Sequence, residues 1–275
     1  MTTMATTSPG DSLAYWHDTR RPFVNLVFVL PWIVVYELGV WATGSGSEAV
    51  RNGADAWLRT TLSTLGVSSA MSLPLFVLGG LLAWHLLSDH PSRVSGDTLA
   101  GMFAESLLFA FVLILLGQSA DMLLHSAFML DVTSSPITSP PVVSLGWGLR
   151  LISFVGAGVY EEFVFRLCML PVAYFVLRGL LIPHTPAVMG AIITTSVIFG
   201  LAHYLPVDPE VGTRGYLWAA ATQVAEKPEL WFGFVFRTLA GVFFAALFYW
   251  RGFGITVGCH ALYDVVVGII LMSRL

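Results

Sequence analysis

Glu161 and Glu162 stand side by side in the apolar stretch VGAGVYEEFVFRLCML, with Arg166 four residues after the second. A charged side chain at the centre of a bilayer costs roughly 2.5–3.5 kcal/mol on insertion scales. Two carboxylates and a guanidinium must therefore face a protein-lined cavity and find partners, and such clusters mark functional sites. On one continuous helix Glu162 and Arg166 share a face and can pair. Glu161 is rotated by about 100° and points elsewhere. One glutamate is then neutralised by arginine, while the other is free to act as a general base or acid. A purely structural ion pair locking two helices is the competing reading of Glu162 and Arg166.

Two more apolar stretches carry polar groups of the same kind. IFGLAHYLP places His203 four residues after Phe199, on the same helix face. GCHALYDVVV places His260 and Asp264 at the same spacing, so that Asp264 can orient the imidazole or both can face a substrate. A carboxylate, two imidazoles and a second acid on three separate segments could hold water and stabilise an oxyanion if they converged. Glu37, Glu105, Asp121, His85, Arg150 and Arg237 read instead as capping, pairing or boundary residues.

The elements that must position these groups follow from composition. The 275 residues are 56% hydrophobic and 11% charged, against about 25% charged in soluble domains. Several apolar runs approach the length of about 20 residues that spans a bilayer. The fold class expected is all-α: a polytopic membrane protein of about eight transmembrane helices enclosing an intramembrane polar cavity. The runs are 22–43, 72–87, 99–122, 143–170, 171–182, 187–205, 230–250 and 252–272. The fourth and fifth could be continuous through Pro171. Residues 48–65, with Arg51, Asp55 and Arg59 between apolar positions, read as an interfacial amphipathic helix. Residues 1–21 form a polar segment without the layout of a signal peptide, ahead of one transmembrane domain over 22–275. The stretches 131–141 and 206–229 read as polar loops. Gly156, Ala157 and Gly158 permit close approach of another helix.

Net charge is −4, with one lysine and twelve arginines, and no basic run suggests nucleic acid. Arg20 and Arg21 before the first span favour a cytoplasmic N-terminus. Arg93 then falls inside, whereas Arg51 and Arg59 fall outside, against the rule. Cys168 and Cys259 lie far apart, each in an apolar run, and read as small buried residues without zinc-type spacing. No HExxH or GxSxG occurs, and GQSAD at 117–121 lacks the second glycine of a GxGD motif. No pair of Gly- or Pro-broken spans occupies corresponding positions in two halves, which speaks against a transporter.

Taken in order, Glu161–Glu162–xxx–Arg166, Phe199–xxx–His203 and His260–xxx–Asp264 resemble the three motifs of the CPBP family. That family is also called CAAX prenyl protease 2 (Rce1-like) or ABI. The resemblance covers about residues 143–272. It implies a glutamate-dependent intramembrane endopeptidase that cleaves a membrane-associated peptide or protein. Glu161 and His203 would then activate water, and His260 and Asp264 would stabilise the oxyanion. Glu162, Arg166 and Phe199 would support them. Asp264 stands where the prenyl-protease branch has asparagine, and an ionised aspartate cannot donate to an oxyanion; it must be protonated or orient His260. Two histidines and a glutamate could bind zinc by ligand type, but the resemblance implies a hydrolase without a cofactor. The expected location is the inner or plasma membrane of a prokaryote. The alternative function is a non-catalytic scaffold or bacteriocin-immunity protein that binds a peptide in the same cavity.

Overall fold

The structure is a computed structural model that describes residues 9–44, 50–51, 53–64, 66–67, 71–128, 146–205 and 215–271. The expected loop at 131–141 lies outside them, as do 206–214 of the second. Among the described residues every regular element is helical. The helices are α1 (Pro9–Asp18), α2 (Pro22–Ala42), α3 (Gly53–Thr64), α4 (Ser72–Leu86), α5 (Gly96–Phe128) and α6 (Trp147–Glu162). After a π-helical segment, Phe163–Met169, come α7 (Leu170–Gly179), α8 (His184–Ala202), α9 (Tyr216–Glu226), α10 (Trp231–Arg251) and α11 (Phe253–Val265). A second π-helical segment, Val266–Leu271, follows α11.

Among the described residues four helices, α2, α5, α8 and α10, are long and apolar enough to cross a membrane, and α4 and α11 are shorter apolar helices. The protein is an all-α polytopic membrane protein. The fourth and fifth expected segments are one run: α6 passes through the π-helical segment directly into α7, with Pro171 in the first turn of α7. Because the run is continuous, Pro171 withholds an N–H that another residue there would donate to the preceding π-helical turn. Two stretches expected to be irregular are partly helical. Pro9–Asp18 forms α1. Within 206–229, YLWAAATQVAE forms α9, since alanine is the strongest helix former and the buried Ala220 and Val224 supply a packing face.

α11 sits at the centre. Every residue from Phe253 to Ala261 is buried, and α11 packs against α2, α5, α6 and α10. A helix that is apolar all round belongs in such a position. Its start is fixed by two devices. Gly252 adopts φ 93°, turning the chain from α10 into α11; only glycine does so without steric cost. The buried Asn25 of α2 donates from Nδ2 to the Thr19 and Arg21 carbonyls. Its Oδ1 accepts from the Gly254 N–H at 2.5 Å, satisfying a free donor in the first turn of α11.

Close packing of α6 on α11 depends on Gly158. A Cβ there would lie 2.7 Å from both the backbone nitrogen and the Cβ of Ala261. The position next to it on α11 is His260, so the glycine sets how near the two motif-bearing helices come. Gly158→Val should therefore destabilise by about 1–3 kcal/mol, the usual range for an overpacked core. Thermal unfolding of the purified protein in detergent would register this as a lower midpoint, and an unchanged midpoint would show that α6 and α11 are not in rigid contact.

Candidate active site

The three motifs meet. Glu161 is the last residue but one of α6, His203 follows the last residue of α8, and His260 and Asp264 lie on α11. Glu161 Oε2 is 3.8 Å from His203 Nε2 and 3.9 Å from His260 Nε2. His260 Nε2 is also 3.5 Å from Asp264 Oδ2. Glu161 Oε2 is buried and makes no hydrogen bond to protein among the described residues. His203 is the open side of the cluster, with 28% of its side chain accessible.

The ring of His203 has a defined orientation. Its Nδ1 lies 2.8 Å from the Phe199 carbonyl, which can only accept, so Nδ1 carries the hydrogen. Nε2 is left with a lone pair facing Glu161. The Phe199 ring meets the His203 ring edge-on at 5.0 Å. Phe199 thus holds its neighbour through both backbone and side chain.

His260 is oriented otherwise than the i,i+4 spacing implied. Its Nδ1 donates to Glu162 Oε1 at 2.7 Å, so the residue that fixes the imidazole is Glu162 rather than Asp264. Phe244 stacks on the ring at 4.5 Å with 15° between planes. Asp264 and Glu161 both approach Nε2. Of the two, Asp264 is the nearer.

Glu162 bridges His260 and Arg166. The two charges are 0% and 1% exposed and lie 3.1 Å apart. Arg166 sits 4.7 Å from the Phe199 ring centre, 5.6 Å from Phe244 and 5.7 Å from Phe165, and its Nη2 donates to the Gly241 carbonyl. Arginine stacks on aromatic faces and keeps its charge when buried. The local backbone is π-helical, with the Leu170 N–H donating to the Phe165 carbonyl five residues back. Such segments recur at functional sites.

A second buried polar network flanks the first. Asp55 of α3 is fully buried and paired with both Arg51 and Arg59 at 2.6 Å. Arg59 reaches Glu37 of α2 at 3.1 Å. The Tyr36 hydroxyl donates to Asp55, and the Tyr160 hydroxyl donates to Glu37. The face of α3 expected to look towards solvent is instead bound to α2 and α6, which gives Arg51 and Arg59 a reason to be present other than topology.

The remaining polar residues pair locally. Glu105 takes both Arg251 nitrogens at 2.8–2.9 Å, His85 Nε2 meets the Ser92 hydroxyl, and Arg150 donates to the Gly268 carbonyl. Arg237 donates to the Tyr204 hydroxyl. Asp121 is exposed on α5. Of the two cysteines, both free, Cys259 is buried as expected and Cys168 is exposed, because it lies on the outer face of the π-helical segment, away from Arg166. Among the described residues no group of three or more His, Cys, Asp or Glu side chains is arranged to hold a metal ion.

Apolar helices thus bring two glutamates, two histidines and an aspartate together in one polar cluster. Residues 143–266 match the family described as type II CAAX prenyl endopeptidase Rce1-like, and this part of the chain is an Rce1-like domain. The matched stretch contains all three motifs. At the level of family, the domain is that of a CAAX-protease-like intramembrane protease. No curated protein and no solved structure matches the chain.

Proposed function

We propose that the protein is a glutamate-dependent intramembrane endopeptidase acting on a membrane-associated peptide or protein. The observation that carries this reading is the buried Glu161 Oε2, without a protein hydrogen bond and within 3.9 Å of two imidazole nitrogens. A gap of 3.8 Å is long for a direct hydrogen bond and suits one water bonded to both groups.

In this mechanism the water donates one hydrogen to Glu161 and the other to His203 Nε2. Glu161 takes its proton as the water oxygen bonds to the scissile carbonyl carbon. The carbonyl π electrons move to oxygen, and the hydrogen at His260 Nε2 or Asp264 stabilises that oxyanion. The C–N bond then breaks as the amine receives the proton that Glu161 took. Glu162 and Arg166 contribute by holding His260. Asp264 acts here by holding one proton jointly with His260 Nε2, which removes the need for an ionised acid to donate.

The test is cleavage of a membrane-tethered peptide library by the purified protein in proteoliposomes. His203→Ala should lower cleavage by about 10²-fold or more, the low end of what a positioned acid–base group contributes, with unfolding temperature unchanged. Wild-type rates in that variant would sink the assignment of His203.

A further inference from the structure

A cleft of about 830 Å³ opens at the end of the bundle where α2 begins and α4 and α10 end. Glu161, His203, His260 and Asp264 are not among its lining residues. Its charged lining is Arg20 and Arg21, with His17 and His90 beside them and no acidic side chain. Asp18 holds Arg21 at 2.8 Å from outside the lining, whereas Arg20 is exposed and belongs to no ion pair among the described residues. The rest of the wall is apolar, chiefly Trp84, Phe248, Phe163 and Leu167.

Arg20 and Arg21 immediately precede the first residue of α2, and His90 lies just beyond α4, so the basic groups stand at the ends of apolar helices. Trp84 and Phe248 lie in the last turns of α4 and α10. A ligand that fits both kinds of lining has an anionic head and a hydrocarbon tail. We propose that this cleft binds an anionic phospholipid, with its phosphate on Arg20 and Arg21 and an acyl chain along Trp84, Phe248 and Leu167. Arginine suits phosphate because its planar fork donates two parallel hydrogen bonds. Phe163 and Leu167 belong to the π-helical segment whose inner side carries Arg166, so the bound lipid packs directly behind the Glu162–Arg166 pair.

The experiment uses the full chain in phosphatidylcholine vesicles and reads lipid contact, so it is independent of peptide cleavage. Phosphatidylglycerol or phosphatidylcholine, brominated on the acyl chains, is added at equal bromine content. The part of tryptophan quenching that disappears in Trp84→Phe reports the cleft. Brominated phosphatidylglycerol should quench that part more strongly than brominated phosphatidylcholine. The double variant Arg20→Gln/Arg21→Gln should weaken the preference about tenfold, at about 1 kcal/mol per basic residue and with Arg21 partly neutralised. Arg20→Lys/Arg21→Lys, which keeps the charge, should retain most of it. Equal quenching by the two lipids, or an unchanged preference in the double glutamine variant, overturns the proposal.

Discussion

Replacing Glu161 by glutamine should abolish peptide cleavage while leaving the fold intact. Glutamine has the same shape and still accepts a hydrogen bond, but it cannot take a proton from water. Loss of a positioned general base costs about 10²–10⁴-fold. Glu161 is well suited to such a test, because the ion pair and the shortest hydrogen bond of the site belong to Glu162. Removing the Glu161 charge therefore leaves the load on the helix packing nearly unchanged. The measurement is the single-turnover cleavage rate in proteoliposomes, with unfolding temperature as a control. Cleavage at the wild-type rate by Glu161→Gln would end the proposed mechanism. Undiminished binding of a partner peptide, in a chain that cleaves nothing, would support the scaffold reading instead.

Arg166→Ala should have the largest effect on stability. Breaking a buried pair by removing one partner costs about 3–5 kcal/mol, because a charge stays behind without compensation. Here that charge is Glu162, fully buried among the helices. The substitution also empties the space between the Phe165, Phe199 and Phe244 rings. Arg166→Lys should rescue little, since an ammonium lacks the planar face that stacks on them. The double variant Glu162→Gln/Arg166→Met offers the discriminating comparison. It removes both charges, keeps an oxygen to accept from His260 Nδ1, and fills the aromatic gap. Most of the lost stability should return in thermal unfolding. Equal destabilisation of the single alanine and double variants would rule out a stranded Glu162 charge as the source of the loss.

Much of the site was legible because its parts are local. Glu162 with Arg166, Phe199 with His203 and His260 with Asp264 are each four residues apart, and helical geometry alone puts each pair on one face. The contact that rearranges the roles joins Glu162 to His260 across 98 residues. No pattern within a helix reports that distance, so Asp264 was the natural candidate to orient the ring. The same holds for α3. Its alternation of Trp57, Leu58 and Leu62 with Arg51, Asp55 and Arg59 has the form of a surface helix. The buried acceptors that Arg59 reaches on α2 and the hydroxyl that Tyr36 offers Asp55 come from elsewhere in the chain. The helical character of α9 was hidden differently, since it packs on α8 and α10 from elsewhere in the chain, and Trp231 Nε1 donates to its Val224 carbonyl.

The π-helical stretch after Glu162 also fixes phase. Each residue of an α-helix advances the chain by about 100°, and a π-helical stretch holds one residue more than the α-helical course it replaces. The glutamates upstream and α7 downstream are thus set in azimuth by the length of 163–169 as much as by their own sequences. Deleting a single residue there would leave every other side chain chemically intact and still turn Glu161 and Glu162 relative to α7 by that angle. The segment works as an indexing step, and the orientation of the two glutamates is written in a count of residues.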